Sequence, residues 1–314
     1  MAERRVVYGF ARDHFRGNGA IIDGGSFFGS SVVAEGQGLL DNMHVDIQQC
    51  MTAWPGRKAI HAYELGYLPA PKSPTADLDR QFGGTRYRMG DSFVPILEAA
   101  IAPYADLVDL TIGDLNEQQW PDCPIELCFI DVCFIDVCKT ARLNAHASRQ
   151  FFPHLIPNGS VLINQDFFFY RLPFIKVTMG YLADYFEWVG RAHSSSIYRC
   201  IKPVPADVAA YDPYLARDPK CLEYHAMHPR EGLDAMAMFV MELSEAYLRA
   251  LLDRKDEALD QCRALQGKYA DVIAASREGA LKYQEKHGGR LRDATLRLER
   301  AQRQIANDLV KRIM

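Results

Sequence analysis

The pentapeptide CFIDV occurs twice in succession, at residues 128–132 and 133–137, so that Asp131 and Asp136 each follow a short apolar run. A carboxylate delivered at the end of such a run is suited to act as a general base, to hold a hard cation or to accept a hydrogen bond from a ligand. Similar endings recur along the first half of the chain. AIID closes on Asp23, KAIHAYE on Glu64, LVDLTIGD on Asp114 and SVLINQD on Asp166. The first of them runs into DGGSFFGSS, residues 23 to 31. A glycine-rich turn of this kind lets backbone approach a ligand closely, and the helix start behind it presents N–H groups. Gly24, Gly25 and Gly29 do not fit the spacing G-x-G-x-x-G, and no phosphate-loop lysine follows them.

The elements that must position these groups alternate in type. Strand patterns at 20–23, 58–66, 107–115, the CFIDV segment and 160–166 are separated by helix-forming stretches, including FVPILEAAIAPYA and residues 141 to 155. Such alternation predicts parallel pairing through right-handed crossovers, hence a doubly wound α/β sheet that binds ligands beyond the carboxyl ends of its strands. Tyr181, Tyr185 and Trp188 recur at helical spacing and predict a helix buried against that sheet. From about residue 232 the chain is rich in Ala, Leu, Glu, Lys and Arg, and Leu291, Leu298 and Ile305 stand seven apart. This predicts a helical extension that either self-associates as a coiled coil or folds back onto the core. The expected division is an α/β domain over 1–203 and a helical extension over 204–314.

A hydrophobic content of 48% with 24% charged residues is that of a globular chain, and no apolar run is long enough to span a bilayer. The opening MAERRVVYGF lacks the apolar core of a signal peptide, so a cytoplasmic location is expected. The net charge of -4 gives no general attraction to nucleic acid or to anionic membranes. Cys123, Cys128, Cys133 and Cys138 are spaced by five, which in a strand turns successive thiols to opposite faces, so they are read as reduced thiols rather than a zinc site.

Taken together, D-x-G-x-x-x-G, an acidic second strand end, Gly113-Asp114 and FIDV resemble the class I S-adenosylmethionine-dependent methyltransferases over about residues 18 to 203, with SSSIYRCIK similar to that fold's final antiparallel strand. The resemblance implies a Rossmann-like, mostly parallel seven-stranded sheet. It also implies that Asp23 and Gly25 line the methionine side of S-adenosylmethionine, with Gly24 and Phe27 in the same loop. Gly29 then opens the first helix, Glu64 takes the ribose and Asp114 the adenine.

Within that superfamily, FIDVCKT and LIPNGSVLINQDFFF look most like the macrocin O-methyltransferase type, which methylates sugar hydroxyls with a divalent metal. That type ends its fourth strand in D-x-D and its fifth in paired aspartates. Here Cys138 stands where the type has its base, and Gln165-Asp166 stands for the pair. The implied magnesium site is Asp136, Gln165 and Asp166, and the implied catalytic carboxylates are Asp131, Asp136 and Asp166. Five extra residues cannot be absorbed within a strand without reversing its facing. Pushing the insert toward the preceding loop keeps Asp136 at the strand end, the favoured arrangement; pushing it the other way puts Asp131 there. The acceptor is expected to be a saccharide or small metabolite, and a homo-oligomer through the C-terminal helices is the expected assembly. The alternative is an inactive methyltransferase-like scaffold.

Overall fold

The computed structural model describes residues 2–49, 58–67, 90–120, 123–130, 140–287 and 293–307. The chain forms two compact units. One comprises Met1–Phe167 with Asp184–Asp212, the other Phe168–Ala183 with Pro213–Met314. The short segment 168–183 therefore belongs with the C-terminal helices, so the units interleave along the chain rather than dividing at residue 203.

The first unit holds a seven-stranded sheet. Its strands are β1 (Ala20–Gly24), β2 (Ile60–Glu64), β3 (Val108–Ile112), β4 (Ile125–Ile130), β5 (Val161–Asn164), β6 (Phe186–Ala192) and β7 (Ser195–Cys200). The order across the sheet is β3-β2-β1-β4-β5-β7-β6. The first five strands are parallel to their neighbours, and β7 lies antiparallel between β5 and β6. This is the Rossmann-like α/β arrangement, mostly parallel, with helices on both faces.

Alternation along each strand explains the two faces. Ile21, Ile60, Ala62, Leu127 and Ile163 turn to one side, where they bury against Val7, Phe10 and Ala11 of α1 (Ala2–Asp13), Val32 and Leu39 of α2 (Ser30–Leu40), and Leu97 and Ile101 of α3 (Val94–Ile101). His61 and Tyr63 have the opposite parity. They pack edge-on or tilted against Trp120 and Phe151, the latter from α4 (Ala141–Phe151), with ring centroids 4.5 to 6.2 Å apart. Thr140 caps α4 by accepting from Leu143 N at 3.2 Å, which satisfies one otherwise orphan amide of its first turn.

In the second unit, α5 (Pro173–Tyr181) packs on α7 (Cys221–Ala226), both distinct from the short α6 (Ala206–Ala210) of the first unit. α8 (Ala235–Leu251) packs on α9 (Lys255–Lys268), and α10 (Ala270–His287) and α11 (Ala294–Ala306) complete the unit. Asp234 and Asp293 cap α8 and α11, accepting from Ala237 N at 2.7 Å and Leu296 N at 2.8 Å. Leu298, Ala301 and Ile305 of α11 are buried within this unit, so the described part of the heptad-spaced apolar face is covered by its own chain, and Leu291 lies outside the described residues.

The helix expected over Tyr181, Tyr185 and Trp188 is not formed. α5 ends at Tyr181, Tyr185 lies in the following turn, and Trp188 is on β6, where its Nε1 donates to Ser196 Oγ at 3.0 Å. Three aromatics four and three residues apart fit a helix, but also a helix end, a turn and a strand in succession. Pairing of β6 with β7 decides for the latter. No helix among the described residues is long and apolar enough to cross a membrane.

Candidate functional site at the carboxyl edge of the sheet

The strand order reverses between β1 and β4, and in open α/β sheets the crevice outside the carboxyl ends at such a point is where ligands bind. Three strand ends are level there, because Gly24 pairs with Ile130 and Ile130 with Asn164. The glycine loop leaves β1 at this edge. Gly25 N and Ser26 N donate to Tyr63 O at 2.9 and 3.3 Å, tying the loop to β2. Gly25, Phe27 and Gly29 all have positive φ, of 103°, 47° and 79°. Phe27 adopts this uncommon backbone among its neighbours Phe28 and Phe93, with ring centroids 3.8 and 5.2 Å away.

Asp23 is fully buried on the face of the sheet that carries α2. Its Oδ1 accepts from Ser26 Oγ at 2.8 Å, while Oδ2 has no donor among the described residues. Burial pushes its pKa up to about 6, against the opposing pull of the Ser31 and Ser26 hydroxyls and with a further push from Glu64. Glu35 of α2 is also fully buried, with both oxygens lacking a donor among the described residues. Burial, then the charge of Asp23, hold its carboxyl well above the ordinary range. Residues 32, 35, 36 and 39 form one helical stripe, and Glu35 stands in it between Val32 and Leu39. That stripe was the signal by which the residue could have been found from sequence.

Glu64, expected to receive a ribose, is engaged with the loop itself. Its Oε2 accepts from Phe27 N at 2.6 Å, and Oε1 from Leu65 N at 2.8 Å and Gly66 N at 3.3 Å. A carboxylate has about four acceptor positions, so one is left for a ligand hydroxyl. Burial raises its pKa in spite of these amides. Asp114 lies just past β3 and is half-buried. Its Oδ1 accepts from Asn116 N at 2.9 Å and Asn116 Nδ2 at 2.8 Å, capping the short 3-10 turn at Leu115–Glu117. Gly113, with φ 146°, donates its N–H to Glu64 O at 2.8 Å and so holds this corner against β2.

Gln165 and Asp166 follow β5 directly and are both buried, and Asp166 has φ 54°. Asp131, Asp136 and Cys138 lie outside the described residues. Leu127, followed by Cys128, Phe129 and Ile130 from the first copy of the repeat, occupies the pairing positions against both β1 and β5. The next residue in the chain is Asp131. No group of three or more His, Cys, Asp or Glu side chains among the described residues converges as metal ligands. Gln165 and Asp166 are the described part of the implied magnesium set, whose third member is Asp136. The described cysteines, Cys123, Cys128, Cys200, Cys221 and Cys262, are buried and form no disulfide with one another.

No family model matches the chain, and no curated protein matches it significantly. Among solved structures, the apo form of CalS11, a TDP-rhamnose 3′-O-methyltransferase of calicheamicin biosynthesis, aligns with 63% of this chain and 76% of its own at 14% identity. Its TM-score is 0.34, a superposition too loose to carry an argument about activity.

Proposed function

We propose that the chain is an S-adenosylmethionine-dependent methyltransferase acting on a hydroxyl of a saccharide or small metabolite. The observation that carries this reading is the buried, partly unsatisfied acid Asp23 beneath a positive-φ glycine loop at the sheet's switch point, with Glu64 clamping that loop from the neighbouring strand. Asp23 Oδ2 offers a buried acceptor for a cationic or N–H-bearing group, and the remaining position on Glu64 suits a ribose hydroxyl. When bound, the cofactor supplies an electrophilic methyl group.

The chain's own contribution is positioning and proton removal. Holding an acceptor hydroxyl in line with the methyl group supplies much of the rate through orientation alone. Of the catalytic carboxylates, Asp131 follows the last residue of β4 in the chain, and it is assigned the role of taking the hydroxyl proton. Asp166 orients the same hydroxyl from the end of β5. Asp136 becomes the base if the second copy of the repeat lies nearer the acceptor.

A scaffold that has lost turnover is favoured by one observation, the use of Glu64 on the loop's own amides. Calorimetric titration with S-adenosylmethionine and S-adenosylhomocysteine, each with and without magnesium, decides. Binding of both ligands is expected; binding of neither removes the methyltransferase reading. Turnover is then followed as release of S-adenosylhomocysteine against a panel of nucleotide-linked sugars, where Asp131→Asn is expected to cost 10²-fold or more, roughly the contribution of a general base. Asp136→Asn is expected to cost much less, and the reverse order would assign the base to Asp136.

A further inference from the structure

The helical unit contains a second group of polar side chains with no part in the proposed cofactor site. Tyr170 is 2% exposed and Tyr247 of α8 is 0% exposed, their rings stacked edge-on with centroids 5.6 Å apart. The hydroxyls of both are buried without a hydrogen-bond partner among the described residues, and so is Nε of Arg171. Burying such groups unsatisfied is costly, and each such case in a folded protein calls for an explanation, an unfilled ligand position being one.

The side-chain cations that act on Tyr170 among the described residues are arginines. The Arg171 guanidinium lies 5.9 Å above the Phe169 ring, which fixes its approach. α11 packs on α8 and brings Arg297 and Arg300, one turn apart, to the same neighbourhood. Burial pushes the Tyr170 phenol up to about 12, and the charges of Arg171, Arg300 and Arg297 each pull it back. Burial likewise raises Tyr247, and Arg171 pulls it back through its charge and its approach to the hydroxyl, short of hydrogen-bond geometry. No ion pair between a carboxylate and either Arg171 or Arg300 occurs among the described residues. Arg300 is exposed and Arg171 half-buried, so flexible side chains separate the buried phenols from solvent.

We infer that Tyr170, Arg171, Tyr247 and Arg300 form a binding site for a phosphate ester. The planar guanidinium presents paired N–H donors that match two phosphate oxygens, and the two phenols donate O–H to the others. Two guanidinium groups beside two phenols exceed what a single carboxylate needs and suit a doubly charged group. Shifting the Arg171 and Arg300 side chains admits the anion and satisfies all three orphan atoms at once. The inference stands independently of the cofactor site.

The test uses the full chain with sodium pyrophosphate and inorganic phosphate as probes, against sodium chloride at equal ionic strength. Pyrophosphate is expected to raise the Tm of the unaltered protein by several degrees. Arg171→Gln is expected to abolish the shift and Arg300→Gln, at an exposed position where the fold tolerates the change, to reduce it by more than half. Tyr247→Phe removes an orphan hydroxyl, so its Tm without anion is expected to equal or exceed that of the unaltered chain while its pyrophosphate shift falls. No shift in the unaltered protein overturns the inference. So does an equal shift in folded Arg300→Gln and Tyr247→Phe, which would put the anion elsewhere.

Discussion

Glu35 and Asp23 illustrate what a residue costs when it is placed for something other than stability. Both carboxyls are fully buried, the charge of Asp23 bears on Glu35, and only Asp23 has a hydroxyl partner. Their folded pKa values are raised, so each binds more protons folded than unfolded between its unfolded and folded values. Stability is then fully present below about pH 4 and is lost as pH rises through the folded values. For Asp23 that window runs from the ordinary 3.8 to about 6, equivalent to about 3 kcal/mol at one unit per 1.4 kcal/mol. Glu35→Gln keeps the shape and removes the charge. Its expected effect is a higher Tm at pH 8 and a shallower fall in Tm between pH 5 and pH 8, read by calorimetry across that range. An unchanged pH profile would show that Glu35 finds a partner in solution. Cofactor binding is expected to survive Glu35→Gln but to weaken at least tenfold in Asp23→Asn, since only Asp23 lies at the loop.

Elements carry the next constraint, through glycines that allow close approach. Gly29 caps α2 with φ 79°, and a Cβ there would stand 2.9 Å from Leu97 Cδ1 and 3.0 Å from Ile101 Cγ2 of α3. Gly29→Ala combines left-handed strain with a clash against a helix, and a loss of about 1–3 kcal/mol is expected, measured as a lower denaturation midpoint. Gly180 near the end of α5 lies against the backbone of Tyr224 in α7, where a Cβ would fall on the Tyr224 carbonyl. Gly180→Ala is expected to be the more damaging of the two, because backbone yields less than a leucine tip. Much of this level was legible beforehand. Apolar runs closing on Asp23, Glu64 and Gly113-Asp114 announced strands that pair as a parallel sheet, since a strand buried on both faces leaves a continuous apolar signature. The segment 181–188 was not legible, because three aromatics cannot distinguish one long helix from a helix end followed by a strand. Nor was the role of Glu64 as a clamp on Phe27 N, which depends on a contact 37 residues apart. The register of β4 was undecidable in CFIDVCFIDV because both copies offer the same side chains, and only its pairing with β1 and β5 selects the first.

At the scale of the whole molecule, the fully buried ionisable groups of the two units pull the pH dependence of stability in opposite directions. The helical unit buries His225 and His228, and the His225 ring nitrogens have no partner among the described residues. Burial, followed by the charges of Lys176 and Arg230, with His228 and Arg249 adding to it at His225, depresses both histidines, His228 to about 3. A depressed histidine binds fewer protons folded than unfolded, so stability is present above pH 6.5 and is lost as pH falls below it. Each histidine contributes at most about 1.4 kcal/mol of destabilisation per pH unit in that window. Asp23 and Glu35 act the other way in the α/β unit, which gains stability over the same descent. Acidification from pH 7 to pH 5 is therefore expected to separate the two in hydrogen exchange, after correction for intrinsic rates. Amides of α7 and α8 lose protection, while those of α2 and β1 keep or gain it. His225→Phe, which fills the same buried position without a titratable ring, is expected to remove much of the loss in α7. Uniform loss of protection in both units at pH 5 would mean that the buried carboxyls of the sheet are already satisfied in solution, which would remove the vacant acceptor on Asp23 and with it the main support for a cationic ligand at the glycine loop.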